Sequence, residues 1–99
     1  MNYPGQKEEI KFFTPLTLKD GSQLTSVYMR EPLLRDRLDY SKNPGNAVEK
    51  DAGMMANLCD MNIEDVYSLT AADYAQLEAV FNRFLLPPDE RQKAKSKKR

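Results

Sequence analysis

The sequence predicts an α+β fold in a single domain, with an N-terminal β-hairpin followed by a bundle of three to four helices. Apolar residues alternate on both sides of Asp20-Gly21, which indicates two antiparallel strands. Beyond them, apolar residues recur at steps of three and four between prolines and capping residues, as is typical of helices. No strand–helix–strand alternation follows, so the pattern argues against a parallel sheet.

The predicted domain covers residues 9–87, between a flexible N-terminus at residues 1–8 and a disordered basic tail at residues 88–99. Six lysines and arginines lie between Asp89 and Arg99, and no apolar residue there is larger than Ala94. Such a segment has nothing to bury and stays disordered. Because the formal charge of the whole chain is zero, the remaining residues are mildly acidic.

The hairpin is predicted over residues 10–29. Asp20-Gly21 is a two-residue turn signal, since both residues can adopt positive φ. If Lys19 pairs with Ser22, the numbers of paired residues add up to 41. One face then carries the apolar side chains expected in the core, which are Ile10, Phe12, Leu16, Leu18, Val27 and Met29.

The opposite face of the hairpin is unusually apolar for a surface in contact with solvent. In the predicted register, Phe13 lies opposite Tyr28 and Thr17 lies opposite Leu24. Pro15 has no N–H to donate, which suits an edge strand. A chain of this size cannot easily cover both faces of its hairpin, and leftover apolar surface usually marks an interaction site.

The first two helices are predicted over about residues 32–42 and 47–60. Pro32 suits the first position of the first helix, where Leu34 and Leu38 share one side. The spacing in the second helix predicts a set of inward-facing residues, namely Val48, Met55, Leu58 and Cys59.

The third and fourth helices are predicted over residues 62–69 and 71–86, with Asn62 and Thr70 as N-caps. Asp73 lies three residues after Thr70, so a capping box is expected there. Pro87-Pro88 ends the fourth helix. Its broad apolar face consists of Tyr74, Leu77, Phe81, Phe84 and Leu85.

The residue types argue against catalysis. The chain has no histidine, and therefore lacks the commonest general base and the commonest zinc ligand. Cys59 is the single cysteine and has no histidine to activate it, so it is expected to be a small buried hydrophobe in a reduced setting. The glycines are scattered, so no phosphate-binding loop is predicted. We predict a protein that is not an enzyme, with no catalytic residue, cofactor or metal.

Composition also limits the partners. The basic tail could bind phosphates, so one alternative is a small nucleic-acid-associated adaptor that uses this tail. The acidic body supplies no recognition helix, which argues against nucleic acid. No apolar run approaches the roughly 20 residues of a membrane span, and the N-terminus lacks a secretory signal. Methionines at 29, 54, 55 and 61 suit either a core or an adaptable binding surface. The residues alone thus predict a small cytoplasmic binding or assembly protein.

The order of several short motifs resembles a known family over about residues 10–86. A hydrophobic-Arg-x-Pro step is matched by Met29–Pro32, and an acid in the following helix by Asp36. An Ala-x-Leu-Cys helix end is matched by Ala56–Cys59, and a Leu-Thr-x-x-Asp-Tyr helix start by Leu69–Tyr74. A terminal Phe-Leu is matched by Phe84-Leu85. The pattern is similar to that of the tail assembly chaperones of contractile-tailed phages, of the Mu-like prophage type.

This resemblance implies a non-catalytic chaperone. Such a protein binds the tape-measure protein, a long helical chain, and keeps it soluble until the tail tube assembles around it. It would act in the cytoplasm of the bacterial host and be absent from the mature virion. Many members of this family are also made as a longer product by ribosomal frameshifting, and the resemblance implies that such a product here would recruit the tail-tube protein.

The partner-binding surface is predicted from apolar residues that exceed the needs of the core. We expect the same excess to favour a homo-oligomer. The predicted partner-binding residues are Phe13, Leu24, Tyr28, Met54, Met55, Tyr74, Phe81, Phe84 and Leu85.

Overall fold

The computed structural model describes residues 6–91, so the predictions for residues 1–5 and 92–99 fall outside the described residues. The predicted α+β architecture is confirmed, because an antiparallel two-stranded hairpin precedes the helices. No helix within residues 6–91 is long and apolar enough to cross a membrane. The elements are β1 (Lys7–Thr17), β2 (Gln23–Arg30), α1 (Leu34–Lys42), α2 (Ala47–Leu58), α3 (Ile63–Tyr67) and α4 (Ala71–Phe84).

The main core lies between one face of the hairpin and helices α2 and α4. Met29 and Leu77 are completely buried at its centre. Leu18 is half-buried against this core, so the predicted inner face of the hairpin is confirmed. A smaller cluster of Ala52, Ala56 and Val66 packs α3 against α2. The other buried members of the main core are Ile10, Phe12, Leu16, Val27, Met55, Leu58, Cys59, Val80 and Phe84.

The hairpin turn contains three residues rather than the predicted two. Leu18 N–H donates to the carbonyl of Ser22 at 2.8 Å, and Gly21 N–H donates to Leu18 at 2.9 Å. Gly21 has a φ of +90°, whereas Asp20 does not adopt the positive φ that the sequence predicted. The Asp20 carboxylate instead accepts a hydrogen bond from Ser22 N–H at 2.9 Å. Three-residue turns of this kind place a glycine at the left-handed position.

The predicted register is wrong on both sides of an irregularity in β1 between Lys11 and Leu16. Paired residue numbers add up to 40 beside the turn and to 37 beyond the irregularity, instead of 41 throughout. The predicted pairs of Phe13 with Tyr28 and of Thr17 with Leu24 are therefore absent. The observed pairs are Glu9 with Tyr28, Leu16 with Leu24 and Thr17 with Gln23.

Helix α1 begins later and faces differently than predicted. Pro32 precedes the helix, which starts at Leu34, because the Asp36 carboxylate accepts the N–H of Leu33 and defines the helix start there. The side of α1 that carries Leu34 and Leu38 faces solvent, with 83% and 54% exposure. The buried residue of α1 is Asp36.

Helix α2 starts with a capping box, in which Asn46 and Glu49 exchange side-chain hydrogen bonds with each other's N–H at 2.9 Å. Three of the four residues predicted to face inward are buried. The fourth, Val48, is 72% exposed, so that prediction is wrong. Val48 lies in the first turn of α2, whereas the buried residues of this helix begin one turn later, at Ala52. The buried three are Met55, Leu58 and Cys59.

Helices α3 and α4 have the predicted N-caps. Asn62 accepts the N–H of Glu64 at 3.3 Å, and Thr70 Oγ1 accepts the N–H of Asp73 at 3.1 Å. The reciprocal half of the expected capping box differs, because the Asp73 carboxylate reaches the hairpin instead of the N–H of Thr70. Helix α3 is also shorter than predicted and covers Ile63–Tyr67.

A candidate partner-binding groove

An ion pair between Arg30 and Asp36 ties the end of β2 to α1. The guanidinium forms two hydrogen bonds with the carboxylate, at 2.9 and 2.8 Å. The carboxylate also accepts Leu33 N–H at 2.7 Å and the side-chain amide of Asn57 at 3.3 Å. Arg30 beside Asp36 holds the pKa of this buried carboxyl below its usual range. The resemblance singled out Arg30 and Asp36 separately, and the structure joins them in one brace between hairpin, α1 and α2.

A second brace connects the start of α4 to the irregularity in β1. The carboxylate of Asp73 accepts the N–H of Phe13 at 2.8 Å and the N–H of Thr14 at 3.1 Å. It also accepts the Gln76 amide at 2.9 Å and the Thr70 hydroxyl at 3.2 Å. Burial raises the pKa of Asp73, but the hydrogen bonds outweigh this effect and leave the pKa below its ordinary value. The side chain is therefore a buried carboxylate that holds the irregular backbone of β1 at Phe13 and Thr14 in place.

The start of the predicted basic tail is folded back against the domain. Pro88–Arg91 forms a short helical segment, where the sequence predicted disorder. The guanidinium of Arg91 binds the carboxylate of Glu31 at 2.6 Å and the carbonyl of Phe84 at 2.9 Å, and lies 5.1 Å from the centre of the Phe84 ring. Arg91 also lowers the pKa of Glu31. These contacts fix residues 85–91 beside the C-terminal end of α4.

An open apolar groove of about 570 Å³ lies between α1, α2 and the C-terminal end of α4. Its apolar rim is exposed, with Leu34 at 83%, Leu85 at 60% and Leu33 at 41%. The remaining lining is Pro32, Met54, Met55 and Phe81, together with the polar residues Asp36, Arg37, Tyr40, Ser41 and Asp51.

The predicted partner-binding residues do not form one surface. Phe13 and Tyr28 are exposed on the hairpin, whereas Leu24 and Tyr74 are half-buried against the core and Phe84 is buried. Leu33 and Leu34 were missed, and the signal that could have found them is a Leu-Leu pair directly after a proline at a helix start. The structure brings four of the nine predicted residues together in the groove, namely Met54, Met55, Phe81 and Leu85.

Two side chains inside the domain, Cys59 and Tyr74, have raised pKa values and stay protonated at neutral pH. Burial raises the pKa of Cys59 to about 12, so its thiol stays protonated and matches the predicted buried hydrophobe. Burial, with smaller contributions from nearby acids, also raises the pKa of Tyr74 to about 12. Within residues 6–91, no group of three or more histidine, cysteine, aspartate or glutamate side chains could hold a metal ion. The groove can therefore make apolar contacts, and polar side chains in its lining, such as Arg37 and Asp51, can make polar ones.

A hairpin braced onto a helical layer, with an open apolar groove, defines a small α+β protein-binding module. Residues 9–86 match the family described as phage tail assembly chaperone proteins, E, or 41 or 14. This chain belongs to that family, and the predicted resemblance to phage tail assembly chaperones is confirmed. Searches of curated proteins and of solved structures found no match. Its general role is therefore in the assembly of a phage tail, with a tail protein as partner.

Proposed function

We propose that this chain binds the tape-measure protein of a contractile-tailed phage, of the Mu-like prophage type, and keeps it soluble. In this proposal it acts without catalysis or cofactor in the host cytoplasm until the tail tube assembles around the tape-measure protein. It is then absent from the mature virion. The observation that carries the proposal is the groove, whose rim residues Leu34 and Leu85 are apolar and exposed.

The shape of the groove suits an amphipathic helix. Helices line it on three sides, and a fourth helix can lay its apolar stripe between them. Met54 in the lining is flexible and polarizable, so it can adapt to different apolar side chains of the partner. Arg37 and Asp51 stand at the edge, where they can contact polar residues that flank such a stripe. The partner of this groove is thus a helical segment with an apolar stripe along one face.

A longer product made by frameshifting fits the same scheme. A change of reading frame after Leu85 would leave the hairpin and α1–α4 intact and would replace Arg91 together with its contact to Glu31. The new segment would recruit the tail-tube protein.

The alternative role as a nucleic-acid adaptor depends on the cations of the basic tail. Of these, Arg91 lies within residues 6–91, and it forms an ion pair with Glu31.

The proposal can be tested by co-expressing the chain with a fragment of the tape-measure protein. We expect the fragment to be soluble with the natural chain and insoluble with Leu34→Asp/Leu85→Asp. Both side chains already face solvent, so the added charges leave the core intact. Leu38→Asp/Val48→Asp is the matched control, because Leu38 and Val48 are also exposed, at 54% and 72%, but lie outside the groove. A folded groove variant that still keeps the fragment soluble would refute the proposal.

A further inference from the structure

The two edges of the hairpin differ in how well they are protected. Helix α4 covers the outer edge of β1 between Lys11 and Thr14, since Asp73 accepts the N–H groups of Phe13 and Thr14 and Gln76 donates to the carbonyl of Lys11. Strand β1 also contains a proline and four charged residues. Irregularity, proline and charge are the usual devices that prevent another strand from pairing with an edge. The β1 edge is closed.

The edge of β2 is open. Glu31 N–H donates to the carbonyl of Gln6 at 2.9 Å, and this bond sets the phase of the ladder between the strands. Because hydrogen-bonded and non-hydrogen-bonded pairs alternate in an antiparallel ladder, the N–H and C=O groups of Ser26 and Tyr28 point away from β1. The sheet described within residues 6–91 has two strands, so no third strand pairs with these outward groups.

Most of β2 lacks the residues that prevent another strand from pairing with an edge. Residues 23–29 contain no charge and no proline, and most are β-branched, aromatic or apolar. Tyr28 is 56% exposed beside the open edge. An uncharged stretch of edge strand with outward backbone groups is a template for the addition of another strand.

We propose that the β2 edge is the interface of a homodimer, in which the β2 strands of two copies pair antiparallel about a two-fold axis near Val27. Ser26 of each copy then lies opposite Tyr28 of the other, so that the outward N–H and C=O groups of both residues are satisfied. Residues 23–29 carry no charge, so around Val27 the two copies pair without like-charge repulsion. The resulting four-stranded sheet exposes only the two closed β1 edges, so association stops at two copies.

The natural chain provides the first test. Sedimentation velocity should show a dimer that dissociates on dilution. Amide hydrogen exchange at Ser26 and Tyr28 should slow by about tenfold or more between dilute and concentrated samples, because these amides become hydrogen-bonded only in the dimer. A monomer at all concentrations, or a dimer whose Ser26 and Tyr28 amides exchange freely, would overturn the proposal.

Two proline variants localise the interface. Ser26→Pro removes an outward N–H of β2 without removing a bond to β1, and it should give a folded monomer. Glu9→Pro is the matched control, since the Glu9 N–H points away from β2 on the opposite edge, and it should remain dimeric. Dissociation by Glu9→Pro alone would refute the assignment. Protection of the two amides that requires a tape-measure fragment would also refute it, and would assign the edge to a strand of that partner.

Discussion

Substitution of Asp73 by alanine tests whether α4 determines the shape of the hairpin. The carboxylate accepts the N–H groups of Phe13 and Thr14, which lie in the part of β1 that is not paired with β2. Each unsatisfied donor costs about 1–3 kcal/mol when it is shielded from water. Since Phe13 lies near the surface, we expect a total loss of about 2–4 kcal/mol. A domain of this size has a free energy of unfolding of about 5–10 kcal/mol, so the change removes a large part of it.

Urea unfolding followed by circular dichroism measures this loss. Asp73→Asn retains one acceptor oxygen and should lose about half as much stability as Asp73→Ala. Glu64→Ala, at the exposed first turn of α3, is a matched control and should change the free energy of unfolding by less than about 0.5 kcal/mol. If Asp73→Ala unfolds at the same urea concentration as the natural chain, the carboxylate does not hold the irregularity in β1.

The same carboxylate predicts how stability depends on pH. The pKa of Asp73 in the folded chain lies below the ordinary value of 3.8, so the folded state binds its proton less readily than the unfolded state. The stabilisation is therefore complete above about pH 4 and is lost as the pH falls through the folded pKa. We expect the free energy of unfolding to fall less steeply below pH 4 in Asp73→Ala than in the natural chain.

Two further predictions concern other buried groups. Asp36→Ala leaves the Arg30 guanidinium without its carboxylate and should cost about 2–3 kcal/mol in urea unfolding, whereas Arg30→Met/Asp36→Leu should cost less than the sum of the single changes; additive costs would contradict the coupling. The Cys59 thiol, with its pKa raised to about 12, should react with a thiol reagent at pH 8 only as fast as the domain unfolds. Rapid labelling without denaturant would show that the thiol is accessible.

The sequence was sufficient for features that depend on neighbouring residues. The caps at Asn62 and Thr70 act over two or three positions, and both were predicted. The spacing of Met55 and Leu77 in their helices likewise indicated which face is buried. Local hydrogen bonding and helical periodicity can be read from a short stretch of chain.

The sequence was insufficient where a distant side chain competes with local pairing. The register of the hairpin depends on Asp73, which is about 60 positions away from the amides it binds and was expected to cap its own helix. The orientation of α1 depends similarly on Arg30, which draws Asp36 inward and leaves the apolar Leu34 in solvent. An amphipathic pattern alone predicts the opposite orientation. The part of the groove rim formed by Leu33 and Leu34 was missed for this reason.

The residues that carry the family resemblance form the frame of the domain. Arg30 and Asp36 bind each other, and Asp73 binds the backbone of β1. Their hydrogen-bonding groups are occupied inside the chain, so they set the positions of α1 and α4 and thereby the width of the groove. Leu34 and Phe81 line the groove from outside the matched motifs, whereas Pro32, Asp36 and Leu85 line it from within them. On the proposed function, these braces hold the groove in shape, and the exposed apolar side chains that line it, such as Leu34 and Leu85, contact the partner.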